Sequence, residues 1–206
     1  PVNQVQIGVT ATTPTWFSLT NEYTDYFGIT NFLVDGTEDG LEYPEETMYF
    51  DYNLRTPYCL NGGVAVLFGS GLLSADVEYV DYASMRFTSA DTETDNNMNN
   101  SIQDTYSSAV TFRVGGEYMV APNLLIRAGY GHTGGPFKDF DSNMQTVSAG
   151  LGYRINNVYF DLAYQNQTQK YSLNPYVLDD ASGHYSPVVD VDNSRNSVFL
   201  TAGFKF

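Results

Sequence analysis

No stretch of this chain approaches eighteen consecutive apolar residues, which excludes a transmembrane helix but not strands that cross a bilayer by alternation. Basic residues are scarce: nine Lys and Arg stand against 24 Asp and Glu, for a formal charge of −15. Phosphate backbones need a basic footprint, so nucleic acid is not an expected partner. A single cysteine, Cys59, allows no internal disulfide and reads as a small apolar residue rather than a nucleophile. The only two histidines, His132 and His184, both fall in predicted loops, outside any Ser/Asp or metal-ligand spacing. No catalytic residue, metal site or cofactor is therefore expected, and the chain is not read as an enzyme. Pro1 is neither an initiator Met nor the start of a signal sequence, so a processed or truncated chain is expected.

What the sequence has in abundance is tyrosine, 17 residues beside one Trp, and two-residue periodicity. Tyrosine joins an apolar ring to a polar tip and suits a membrane interface or a half-wet strand. Read back from the carboxylate, Phe206, Phe204, Ala202, Leu200 and Val198 form one apolar row; the alternate Lys205, Gly203, Thr201 and Ser197 are polar or small, with Phe199 the exception. Side chains alternate across a strand, so this segment has one lipid-like face and one wet face. The same alternation recurs at Val5–Ala11, in a region from Thr47 to Phe68 interrupted at Thr56-Pro57, and at Leu73–Tyr79. It continues at Val110–Tyr118, Ile126–Tyr130, Val147–Tyr153 and Val158–Tyr164, giving eight predicted strands and no helix.

The connections alternate in length. Tight turns at 70–71, 121–123 and 156–157 separate predicted loops at 28–46 (acidic), 88–104 (polar), 132–143 and 171–195. A soluble sandwich has no reason to gather its short turns at one end, whereas outer-membrane barrels pair short periplasmic turns with long extracellular loops. The residues opposite the apolar rows form a predicted lumen charge ladder of Asp76, Glu78, Arg113, Glu117, Arg127, Arg154, Asp161 and Lys205, suited to cross-strand pairing in a polar interior. Tyr79, Tyr118, Tyr130, Tyr153 and Tyr164 take the positions of aromatic girdles. Asp91, Glu93 and Asp95 have the spacing of a calcium loop but lack its glycine and terminal Glu, and read as a solvated acidic segment.

Several segments, in order, resemble a known family: Val5-Gln6-Ile7-Gly8-Val9 with Thr13-Pro14-Thr15-Trp16, Leu54-Arg55-Thr56-Pro57 with Gly62-Gly63-Val64, and Ser74 through Tyr82. Phe112 through Tyr118, Ile126 through Tyr130, Ser148 through Tyr153 and the closing Leu200 through Phe206 continue the match. Together they resemble the C-terminal part of FadL/TodX-type outer-membrane transporters of long-chain fatty acids and hydrocarbons. The resemblance implies an all-β, antiparallel transmembrane barrel of fourteen strands, of which residues 1–206 would supply the last eight as part of one barrel domain. The hatch and first six strands would lie outside this chain. It further implies a Gram-negative outer-membrane location with periplasmic termini, and passive diffusion of small hydrophobic molecules. Membrane lipid and lipopolysaccharide, a hydrophobic ligand and other outer-membrane proteins would be its partners. Trp16, Phe17, Phe87, Phe137, Phe140 and Tyr185, near extracellular strand ends, are candidates for an apolar groove through which ligand arrives. The alternatives are an interaction subunit of an outer-membrane secretion complex and a purely structural barrel.

Overall fold

The computed structural model describes residues 4–32, 38–176 and 187–205. In chain order the strands are β1 (Val5–Thr12), β2 (Trp16–Phe32), β3 (Glu38–Arg55), β4 (Cys59–Phe68), β5 (Gly71–Asp81), β6 (Arg86–Ser89), β7 (Ser108–Ala121), β8 (Leu124–Thr133), β9 (Met144–Ile155), β10 (Val158–Leu173) and β11 (Val189–Phe204). Eight of them form one antiparallel wall in the order β1-β4-β5-β7-β8-β9-β10-β11, and β2-β3-β6 form a smaller sheet. The eight-stranded wall is the one that the alternation predicts. Its tight turns lie at Gly69–Ser70, Pro122–Asn123 and Asn156–Asn157, and Gly69, Asn123 and Asn156 carry the positive φ that reverses a chain in so few residues.

The smaller sheet continues the wall across a crease. Thr12 faces Cys59, and after three skipped residues on each strand Trp16 faces Arg55, so the register is unbroken. In that register Pro14 stands opposite Pro57. Neither proline can donate to a ladder, and two facing prolines interrupt it on both sides at once. Next to them Thr56 N–H donates to the Thr15 carbonyl at 2.9 Å, while Thr15 N–H donates to the Thr56 hydroxyl oxygen, Oγ1, at 2.8 Å. The third strand breaks at the same level: a single 3-10 turn at Tyr82–Ser84 separates β5 from β6.

Three predicted loops need correction. The acidic segment 28–46 belongs mostly to β2 and β3, whose hairpin register starts at the crease and carries the chain outward with one slip between Asp25 and Phe27. Residues 33–37 lie outside the described residues. The polar segment 88–104 ends β6 and then forms a helix, α1 (Thr92–Thr105), where none was expected. The loop placed at 171–195 is shorter, because β10 runs to Leu173 and β11 starts at Val189.

The wall has almost no two-sided core. Among the described residues only Phe87, Ala109 and Leu125 are buried hydrophobics. The accessible surface is 15010 Å², against about 9,600 Å² for a compact soluble protein of 22.9 kDa. A sheet this exposed, with Val, Ile, Leu and Phe along one face, has apolar surface suited to lipid rather than to a second layer of its own chain. Where Gly116 and Ala128 thin that outer face, Leu73, Tyr118, Ile126, Tyr130 and Val147 border an apolar groove of about 530 Å³. Among the described residues β1 and β11 end the wall and do not pair with each other.

Candidate functional site

The opposite face of the wall is polar, and its middle is shallow. Following the cross-strand partners, one inner rung reads Gln6, Ala65, Ser74, Gly115, Gly129, Ser148, Gln165, Ser197. The neighbouring rung reads Gly8, Gly63, Asp76, Arg113, Gly131, Thr146, Gln167, Arg195. Five consecutive small residues at the centre leave an inner cavity of about 400 Å³ over Ser74, Gly115, Gly129, Ser148 and Gly150. Reading the sequence for charges missed this floor. Its signal is present, however: Gly115, Gly129, Gly131, Gly150 and Gly152 all fall in the inward phase of their strands.

The charges border this floor in two linked groups. Arg113 sits directly opposite Asp76 and donates to it at 2.8 Å, with Glu78 at 4.0 Å from its other nitrogen. Arg127 sits directly opposite Glu117, with Nε donating to Oε2 at 2.5 Å, and its Nη1 donates to Asp161. Asp161 is on β10, so this second bond passes over β9. Gly152 permits it: a Cβ there would lie 2.7 Å from the Asp161 carboxylate and 3.2 Å from each Arg127 terminal nitrogen. One guanidinium thus connects β7, β8 and β10. Arg154 and Lys205 are placed apart, near the Asn156–Asn157 turn, where they line a cavity of about 570 Å³ with Tyr159 and Asp161. Among the described residues neither takes part in an ion pair.

The apolar groove residues fall into separate groups. Phe17, Leu54 and Phe87 occupy one rung of the smaller sheet, and the Phe87 ring stacks on Tyr52 at 5.1 Å and on Phe50 at 6.2 Å. Trp16 is the next residue along β2 and therefore belongs to the other face. Phe137 forms an isolated bridge with Tyr106, ring centroids 5.3 Å apart, at the C-terminal end of α1. Phe140 is exposed in the segment after β8, and Tyr185 lies outside the described residues, as do His184 and Phe206. Among the described residues no three His, Cys, Asp or Glu side chains converge as a metal site. Asp91 caps α1 and Asp95 accepts from Ser89, so two of the acids with calcium-like spacing have protein donors.

No family model and no curated protein matches this sequence. Solved structures do. A Pseudomonas aeruginosa FadL homologue aligns over 100% of this chain and 50% of its own, at 19% identity and a TM-score of 0.62. The P. putida toluene transporter TodX aligns over 100% of this chain and 46% of its own, at 13% identity and a TM-score of 0.52. The chain thus spans about half the length of the barrels it matches. Strand order, register and this likeness agree: the chain has the fold of one half of a FadL-type outer-membrane barrel wall.

Proposed function

We propose that this chain forms about half the wall of an outer-membrane channel through which small hydrophobic molecules diffuse passively, in a Gram-negative envelope and with its short turns toward the periplasm. The observation that carries this reading is the inner floor. Eight strands closed on themselves leave an interior that side chains fill, yet the central inner rung is Ala65, Ser74, Gly115, Gly129 and Ser148, too small to fill anything. A floor this low beside fixed ion pairs suits a wider barrel that keeps open space. TodX of P. putida is a toluene transporter, which supports a hydrophobic cargo.

In this reading the ion pairs brace the wall, two arginines against four carboxylates, so none of these cations is left uncompensated to trap an acidic ligand. The exposed Phe17 side chain on the rung of Phe17, Leu54 and Phe87, with Phe137 and Phe140, offers apolar surface on which ligand first collects, while Trp16 faces the other side. Cells lacking the gene should take up a hydrophobic tracer several-fold more slowly, and the Phe17→Ser variant should restore uptake only in part. Unchanged uptake on deletion, combined with a stable complex in pull-downs, would instead favour an interaction subunit.

A further inference from the structure

The outward face of the wall changes character across its strands. One outward rung reads Ala75, Val114, Tyr130, Val147, Asn166, Asn196. The next, toward the long connections, reads Val77, Phe112, His132, Gln145, Thr168, Ser194. Both rungs are apolar on β5 and β7 and polar on β10 and β11, where Tyr164 and Val198 are the last apolar outward residues. A border that slopes from strand to strand is what tilted strands crossing a bilayer produce. Gln145, Thr168 and Ser194 therefore stand at the rim of the apolar band, on its lipid side.

A polar cavity of about 410 Å³ opens at this rim. Its outward lining is His132, Gln145, Thr168, Lys170, Asp192 and Ser194, and the segment after β8 adds Asp141 and Asn143. On the rung below, the polar groups satisfy one another: the Tyr164 hydroxyl donates to Asn196 at 2.6 Å, and Asn166 donates to Asn196 at 2.8 Å and to Ser194 at 3.2 Å. The Gln145 and Thr168 side chains are exposed and take no hydrogen bond among the described residues. Lys170 is the one Lys or Arg of the lining and already meets Asp192 at 3.2 Å. With Asp141 as a second carboxylate, the cavity repels an anion. Nor do three acids converge on a metal among the described residues.

Amide and hydroxyl side chains match a ligand that both donates and accepts, as a sugar hydroxyl does. Beside them the His132 ring stacks on Phe112 at 5.4 Å, a flat surface for the apolar face of a hexose. One rung down, about 7 Å along the strands, Tyr130 and Val147 border the outer apolar groove of about 530 Å³. A polar seat thus continues into an apolar one on the same face.

We propose that the outward face of β8 to β11 seats a glycolipid, its uncharged sugar bonded to Gln145 and Thr168 against the His132 ring and an acyl chain in the groove below. The seat goes beyond the channel reading, because it rests on the outward face meeting lipid and not on transport.

The full-length protein in a zwitterionic detergent would be exposed to equal amounts of glucosyl diacylglycerol and phosphatidylglycerol with the same acyl chains, and the bound lipids counted by native mass spectrometry. The glucosyl lipid should be retained about tenfold over the phospholipid, the worth of one or two hydrogen bonds. Gln145→Leu/Thr168→Val should equalise the two. Ala128→Leu, which fills the floor of the groove, should lower the retention of both. All three positions are exposed, so folding is spared. Methyl glucoside at the same concentration should displace neither lipid. Equal retention by the unaltered protein, or a preference that survives Gln145→Leu/Thr168→Val, would overturn the proposal. Displacement by methyl glucoside would overturn its lipid part and leave a site for free sugar. Tracer uptake tests the channel separately: a tracer taken up equally with and without the gene sinks the channel reading and leaves the glycolipid seat standing.

Discussion

A single absent side chain sets the reach of Arg127. The alternation of β9 places Gly152 inward, opposite Asp161 on β10 and Leu125 on β8, where the Arg127 guanidinium reaches across it from the next rung, and a Cβ there would meet both ends of the Arg127–Asp161 bridge. Gly152→Ala should push apart the two flexible side-chain ends and break the Arg127–Asp161 bond, leaving Glu117 as the only partner of Arg127. Both groups of that bond are partly solvated, with side chains 33% and 24% exposed, so the expected loss is roughly 1 kcal/mol. The temperature at which the folded band unfolds on gel electrophoresis would measure it. In a double-mutant cycle, Gly152→Ala with Asp161→Asn should cost little more than either alone. Full additivity would mean that the glycine serves something else. The charges of this ladder were legible in the sequence, because inward positions follow from period two. Their pairing was not, because a bond that skips a strand depends on what the intervening residue lacks.

Elements differed in how plainly the sequence announced them. The eight wall strands could be read from alternation, since one face meets an apolar and the other a polar surroundings. Helix α1 could not: Met98 and Ile102 are its only apolar residues, and four asparagines lower its intrinsic propensity. What holds it is polar and tertiary. Asn99 accepts from Phe87 N–H at 3.0 Å and donates to the Phe87 carbonyl at 2.9 Å, pairing with edge strand β6 as a neighbouring strand would. One turn earlier Asp95 accepts from Ser89 N–H at 2.6 Å. The first turn rests on Asp91, which accepts from the Thr94 hydroxyl and from the Thr94 and Glu93 amides. Those bonds hold its carboxyl below the usual carboxylate range. A lowered folded-state pKa stabilises the capped helix above the unfolded value near 4 and stops doing so as pH falls through the folded one. Protection of the Thr94 amide against hydrogen exchange should therefore drop on acidification below that range. Asp91→Asn keeps a good cap without an ionisable group and should remove this pH dependence; an identical acid response in the variant would show that another group is responsible.

At the scale of the whole molecule, the wall is regular in its interior and open at its sides. Outward residues on inner strands, such as Val64, Leu151 and Leu162, are 40%, 50% and 47% exposed, while Ile7, Val9, Val198 and Leu200 on the outermost strands reach 78%, 81%, 70% and 79%. Among the described residues β1 and β11 each pair with a strand on one flank only, and the other flank of each is a sheet edge. A bilayer does not tolerate such edges, since nothing in hydrocarbon can satisfy them. Either the two edges meet, making a narrow barrel, or further strands stand between them. The small inner rung argues against the first, because a closed eight-stranded interior built on Gly115 and Gly129 would be left unfilled. Cysteines placed in a Cys59→Ser background at Ile7 or Val9 on β1, together with Val198 or Leu200 on β11, should give no intramolecular disulfide in the membrane-inserted full-length protein. Strands set between the two edges hold those positions far beyond the ~7 Å that a disulfide can bridge. A control pair across a real ladder, Leu162→Cys with Leu200→Cys, should cross-link. Formation of the β1–β11 bond at comparable yield would mean that the eight strands close on themselves, and the channel reading would lose the open interior on which it depends.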